Sequence, residues 1–77
     1  MDDEFRALFS KILQLPADQI HDDLSPETAK SWDSLAMVDL IVGVEDLFKI
    51  TLSHEELMQF TSVGSLRGLL ETKGIAL

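Results

Sequence analysis

The chain has 77 residues, no cysteine and a formal net charge of −8. A chain of this length forms one domain, here residues 1–77, and buries only about 60% of its unfolded surface, so it has no room to enclose a substrate and we predict no catalytic residue. No apolar run reaches the ~18 residues that span a bilayer, and the N-terminus is acidic where a secretory signal is basic, which favours a cytoplasmic protein without membrane insertion.

The first predicted element is an amphipathic helix over residues 2–14. Its apolar residues recur at three- and four-residue spacing, and its first turn carries the acids that a helix N-terminus favours. The apolar set is Phe5, Leu8, Phe9, Ile12 and Leu13. Pro16 is expected to end this helix, because the residue before a proline avoids helical dihedral angles.

A long loop is predicted next, over residues 15–33. It has no sustained periodicity, only Ile20, Leu24 and Trp32 as apolar anchors, and one helical turn begun by Ser25-Pro26-Glu27. Connections of this length are uncommon in small domains and tend to be functional. We expect this loop to carry the chain along the bundle and deliver Ser34 to an exposed end.

The second helix, Ser34 to about Phe48, has apolar residues on two sides. At about 100° per residue, one stripe is uniformly apolar and is assigned to the core, while the opposite stripe mixes aliphatic side chains with carboxylates. The core stripe is Met37, Leu40, Ile41, Val44, Leu47 and Phe48, and the mixed stripe is Leu35, Val38, Asp39, Val42, Glu45 and Asp46. A central helix would bury both stripes, but unpaired buried carboxylates are costly, so we favour an exposed docking face.

The last predicted elements are a short third helix and a fourth helix. Ser53 to Glu56 has the form of a capping box, and the third helix runs to about Phe60, docking through Leu57 and either Met58 or Phe60. Thr61 or Ser62 caps the fourth helix, which ends at Gly74. Its inward residues are Val63, Leu66, Leu69 and Leu70, with Lys73 near the C-terminus. Because no segment makes a convincing strand, the fold class is all-α, a small four-helix bundle with three main helices, one short helix and a long first loop.

Ser34 is the residue that points to a function. A hydroxyl at a helix start lies beside N–H groups without intrahelical partners and at the positive end of the helix dipole, so a phosphate ester there is stabilised. Asp33 is expected to cap the helix, and no neighbouring base is present to make Ser34 a nucleophile. We therefore interpret Ser34 as the substrate of another enzyme.

The segment Asp33-Ser34-Leu35, followed by Ala36 to Ile50, resembles the phosphopantetheine attachment site and second helix of acyl carrier proteins. Length, acidity, the long first loop and the start of the fourth helix also resemble that family, although Ser31 and Trp32 stand where the family most often has a glycine. The resemblance implies that a separate phosphopantetheinyl transferase attaches 4′-phosphopantetheine to Ser34, within the motif Asp33, Ser34 and Leu35. The thiol of that arm then carries acyl groups as thioesters, in fatty-acid, polyketide or specialised-metabolite biosynthesis.

The resemblance also implies the partners of the second helix. Its contact surface for the transferase and for acyl-transferring, ligase or synthase enzymes would be Leu35, Val38, Asp39, Val42, Glu45 and Asp46. Met37 would line a pocket for the acyl chain, although a methionine at this position is more commonly core filler. We expect a monomer.

The charge distribution supports protein partners for the chain. Ten acidic and two basic residues lie from Asp18 to Glu56, whereas the remainder has four of each, so the excess negative charge surrounds Ser34. This charge disfavours nucleic acid and favours basic patches on proteins, although it also promotes solubility. His21 and His54 are isolated and are predicted to be solvated, with no metal site.

Two alternatives remain open at this point. An aminoacyl or peptidyl carrier would use the same arm for another cargo, although such carriers more often have a glycine pair and a histidine before the serine, where this chain has Asp33. An unmodified acidic helical adaptor would dock on basic surfaces without a prosthetic group.

Overall fold

The computed structural model describes residues 1–77 and contains four α-helices and no strand. The helices are α1 (Asp3–Leu13), α2 (Ser34–Phe48), α3 (His54–Met58) and α4 (Val63–Thr72). A 3₁₀ turn, Ala17–Gln19, lies in the loop between α1 and α2 and was not predicted. None of the helices has the length and hydrophobicity to cross a bilayer. The all-α class, the short third helix and the long first loop are confirmed.

The ends of α1 are set by its two flanking residues. The Asp2 carboxylate accepts hydrogen bonds from the N–H groups of Glu4 and Phe5, at 2.9 and 3.0 Å, so it caps the helix N-terminus. Gln14 adopts the left-handed conformation at φ 57° and ends the helix. Pro16, which was expected to end α1, instead precedes the 3₁₀ turn.

The core consists of sixteen buried residues, all of them apolar. At its centre the Phe9 ring lies 5.7 Å from Trp32 and 6.3 Å from Phe60, and Trp32 lies 5.7 Å from Phe60, all measured between ring centroids. These contacts join α1, the end of the first loop and the segment after α3. Trp32 therefore anchors the loop one residue before the cap of α2.

The middle of the first loop is attached to the start of α4. The N–H groups of Val63 and Gly64 donate to the carbonyl oxygens of Leu24 and Asp22, each at 3.0 Å. Arg67 holds both carboxylate oxygens of Asp22 at 2.9 Å. A Cβ atom at Gly64 would lie 3.0 Å from the Asp22 carbonyl oxygen, so glycine permits this close approach. The predicted turn at Ser25 is also present, with Thr28 and Ala29 donating to the Ser25 carbonyl.

The caps predicted for α3 and α4 are confirmed. Ser53 and Glu56 form a reciprocal capping box at α3, and Ser62 and Ser65 form one at α4. The four predicted inward residues of α4 are buried, and Gly74 follows the helix at φ 85°. Phe60 is buried beyond α3, whereas the Met58 side chain is 70% exposed, so the Met58 alternative was wrong.

The core side of α2 differs slightly from the predicted stripe. Leu40 and Val44 are fully buried, and three further members pack against the core while remaining partly exposed: Met37, Ile41 and Phe48. Leu47 is half-buried and lies in a surface groove with Leu8 and Lys11, outside the core cluster. Ala36, whose small side chain was not assigned a role, is buried instead.

Candidate attachment site and docking face

Ser34 is the first residue of α2 and its side chain is exposed to solvent. The preceding Trp32 is buried, with 3% of its surface accessible, so the chain leaves the core and reaches the surface within two residues. No side chain of the protein bonds Ser34, and its hydroxyl is available to an external enzyme. The predicted position at an exposed helix start is confirmed.

The N-terminus of α2 is only partly capped. One carboxylate oxygen of Asp33 accepts the N–H of Ala36 at 2.9 Å, and the Asp33 carbonyl accepts the N–H of Met37 at 2.9 Å. The N–H groups of Ser34 and Leu35 have no acceptor within the chain. Because these donors lie at the positive end of the helix, they would stabilise a phosphate group esterified to Ser34.

A cavity of about 460 Å³ opens beside Ser34. It is lined by Pro26, Trp32, Asp33, Ser34 and Met37. Met37 lines this cavity and also packs against the core, as the core-filler interpretation of this residue predicted. No histidine, lysine or arginine lines the cavity, and the one titratable group that does, the Asp33 carboxylate, accepts the N–H of Ala36.

Two groups have shifted pKa values, Glu56 and Arg67, and both are paired with residues outside the Ser34 region. The Lys73 ammonium, which bonds Glu56 at 2.7 Å, is the main cause that lowers the pKa of Glu56 below its usual 4.5. The Asp22 carboxylate raises the pKa of Arg67. Neither residue lines the cavity beside Ser34, and His21 and His54 are both exposed, as predicted.

The outer side of α2 presents aliphatic side chains to solvent. Leu35, Val38 and Val42 are exposed to 78%, 56% and 58%. Asp39 and Asp46 lie beside them and are also exposed. Five of the six residues predicted for the mixed stripe are therefore exposed, and we call these five, Leu35, Val38, Asp39, Val42 and Asp46, the outer face of α2.

Glu45 was predicted to be a docking carboxylate of this face, but its position in the structure is different. Its side chain is half-buried, and Oε2 accepts the N–H of Leu52 at 2.8 Å. Its carbonyl oxygen accepts the N–H groups of Lys49 and Ile50. Glu45 therefore holds the turn after α2, and its carboxylate is engaged within the chain.

Comparison with known proteins identifies the family. The family model described as the phosphopantetheine attachment site matches residues 3–70, which is most of the chain. The chain therefore belongs to this family, and the protein is a carrier of the phosphopantetheine-binding type, with 4′-phosphopantetheine as its covalent cofactor. No curated protein sequence matches it.

The fold is similar to that of a Mycobacterium tuberculosis protein assigned as an acyl carrier protein. The TM-score is 0.75 at 24% sequence identity, over 88% of this chain and 90% of that chain. At this identity the likeness concerns the fold, which agrees with the all-α bundle described above. An exposed hydroxyl, two unpaired N–H groups and an adjoining cavity make the Ser34 region a fitting place for the family's cofactor.

Proposed function

We propose that Ser34 carries the 4′-phosphopantetheine arm and that the protein transports acyl groups between partner enzymes. The observation that carries this proposal is the exposed Ser34 hydroxyl at the start of α2, within the matched family region. When attached, the arm supplies a thiol that the chain itself lacks, and cargo is held on it as a thioester. The protein is then a substrate and carrier for other enzymes.

Three features of the chain support this role for Ser34. Asp33 caps α2 through Ala36 and leaves the Ser34 hydroxyl unbonded. The free N–H groups of Ser34 and Leu35 favour a negative phosphate at this position. Trp32, packed between Phe9 and Phe60, holds the end of the loop in place. The chain presents and orients the hydroxyl, and the transferase supplies the catalytic groups.

We further propose that the outer face of α2 binds the partner enzymes. Exposed aliphatic side chains beside carboxylates fit an apolar surface rimmed by lysine and arginine. A phosphopantetheinyl transferase has to contact this region, because Ser34 and Leu35 are adjacent at its end. Acyl-transferring, ligase and synthase enzymes meet the same surface when they act on the loaded arm.

Intact mass spectrometry tests the attachment residue. The unmodified protein is incubated with coenzyme A, Mg²⁺ and a broad-specificity phosphopantetheinyl transferase, and we expect a gain of one phosphopantetheine mass. Ser34→Ala should abolish the gain, while Ser31→Ala, which alters another exposed serine three residues earlier, should retain it. An unmodified wild-type protein, or a gain that persists in Ser34→Ala, would contradict the proposal.

The cargo class needs a separate test. Asp33 before the serine agrees with the acyl type of carrier, so we expect the modified protein to accept acyl or malonyl groups from acyl-transferring enzymes. Adenylating enzymes with amino acids are the comparison. Preferential loading by amino acids would assign the chain to the aminoacyl carriers while leaving Ser34 as the attachment residue.

A further inference from the structure

The cavity beside Ser34 has apolar walls and begins at the attachment residue itself. We propose that it holds the portion of the 4′-phosphopantetheine arm nearest the protein, with the two methyl groups of the pantoyl unit packed against Pro26, Trp32 and Met37. This inference rests on the proposed function, because it takes Ser34 as the attachment residue. It assigns the cavity to the arm and leaves the cargo outside.

The length of the arm favours its near part, and not the cargo, as the occupant of the cavity. Ser34 is itself a wall of the cavity. The methyl-bearing carbon follows the phosphate by only a few bonds, so it stays at high effective concentration beside these walls. The thiol and its cargo lie at the far end of the arm. The arm would have to double back along its whole length to place them in the same cavity, which costs conformational entropy.

The chemistry of the walls also distinguishes the two occupants. The Trp32 Nε1–H is buried and has no acceptor in the chain. A buried donor without a partner is unfavourable, and a hydrocarbon cargo would leave it unpaired. The arm carries hydroxyl and amide oxygens close to its methyl groups. The Nε1 atom is closed to solvent in the unmodified protein, so an oxygen of the arm reaches it only when the flexible Met37 side chain or the Trp32 ring shifts.

Nuclear magnetic resonance of the modified protein tests this inference. Uniformly ¹³C- and ¹⁵N-labelled protein is modified with unlabelled coenzyme A, and isotope-filtered spectra record contacts between arm protons and protein protons. We expect contacts from the two arm methyl groups to the Met37 methyl group and to the Trp32 ring, which is unambiguous because the chain has one tryptophan. Met58, exposed on α3, is the internal control and should show none.

A matched pair of variants adds a second reading. Met37→Ala removes one wall and should weaken the contacts between the arm and Trp32 several-fold, whereas Met58→Ala should leave them unchanged. The contacts between the arm and the protein are measured in the wild-type protein, so the test remains valid even if Met37→Ala fails to fold.

Intact mass spectrometry of the same sample distinguishes the attachment proposal from the cavity proposal. A gain of the arm without contacts to Met37 or Trp32 would overturn this inference and leave the attachment proposal intact. No gain of the arm overturns both. Contacts that arise only after an octanoyl group is loaded, and from that chain's own methylene protons, would assign the cavity to the cargo and overturn the inference.

Discussion

Asp33 stabilises the start of α2 as its N-cap. Its carboxylate accepts the Ala36 N–H at 2.9 Å. We expect Asp33→Ala to lower the free energy of unfolding by about 1 kcal/mol, the usual cost of losing an N-cap, as measured by urea denaturation. Asp39→Ala is the control, because Asp39 is exposed on the same helix. Equal losses in the two variants would show that the cap contributes nothing.

Glu45 has a structural role that its place in the mixed stripe did not indicate. Its bond to the Leu52 N–H spans seven residues and depends on the path of the turn after α2. We expect Glu45→Ala to lower the free energy of unfolding by about 1–3 kcal/mol, because Leu52 is buried and its N–H loses its acceptor.

Two further variants separate this bond from the charge of Glu45. Glu45→Gln keeps an acceptor oxygen and should retain most of the stability in urea denaturation. Asp46→Ala should change stability little, because the ion pair of Asp46 with Lys49 is long, at 3.9 Å, and exposed. If Glu45→Gln were as unstable as Glu45→Ala, charge and not the hydrogen bond would be the cause.

At the scale of elements, α3 depends on contacts at its ends. A helix of five residues is unstable alone. Glu56 stabilises α3 through two contacts: its carboxylate accepts the Ser53 N–H at 2.9 Å and pairs with Lys73 at 2.7 Å. These partners lower the pKa of Glu56 below 4.5 in the folded protein. The ionised form therefore adds stability above pH 4.5, and this contribution disappears as the pH falls through the lower folded value.

The pH dependence of a Glu56 variant tests this linkage. Glu56→Gln should destabilise the protein most above pH 4.5, and its difference from the wild type should shrink as the pH falls below that value. Urea midpoints measured across this range check the expectation. Glu55→Gln changes the neighbouring exposed carboxylate and should have a smaller effect. A Glu56→Gln deficit that stays constant with pH would exclude the linkage.

The predicted elements agree with the structure wherever local signals set them. α2 begins and ends as predicted because Asp33 is a strong N-cap and the apolar pattern continues to Phe48. The end of α1 was attributed to Pro16, whereas Gln14 ends the helix by adopting a left-handed conformation that is usually taken by glycine. The 3₁₀ turn Ala17–Gln19 has too few residues to show a period.

Contacts between residues far apart in the chain could not be predicted from the sequence. The attachment of the first loop to α4 joins Asp22 to Gly64 and Arg67, more than forty residues apart. Neither charge pattern nor periodicity encodes that pairing. At the candidate site, the exposed position of Ser34 and the uncovered face followed from spacing along one helix. The cavity could not be predicted from this spacing, because one of its lining residues, Pro26, lies in the middle of the first loop.

At the scale of the whole molecule, the excess negative charge concentrates in the part of the chain that contains α2. We expect that charge to speed encounters with basic partner enzymes, an effect that salt weakens. Reversal of one charge on the outer face of α2, Asp39→Lys, should lower kcat/KM for transfer of the arm by about tenfold. Added salt should slow the wild-type protein more than this variant.

The control for this prediction has the same change of net charge at another place. Glu71→Lys alters an exposed acid on α4, outside the acidic region, and should reduce kcat/KM much less than Asp39→Lys. If both variants slow transfer equally, net charge alone governs the encounter and the outer face of α2 has no special role. A selective loss in Asp39→Lys, removed at high salt, would instead locate partner recognition beside Ser34, because attraction between exposed charges is local and screened.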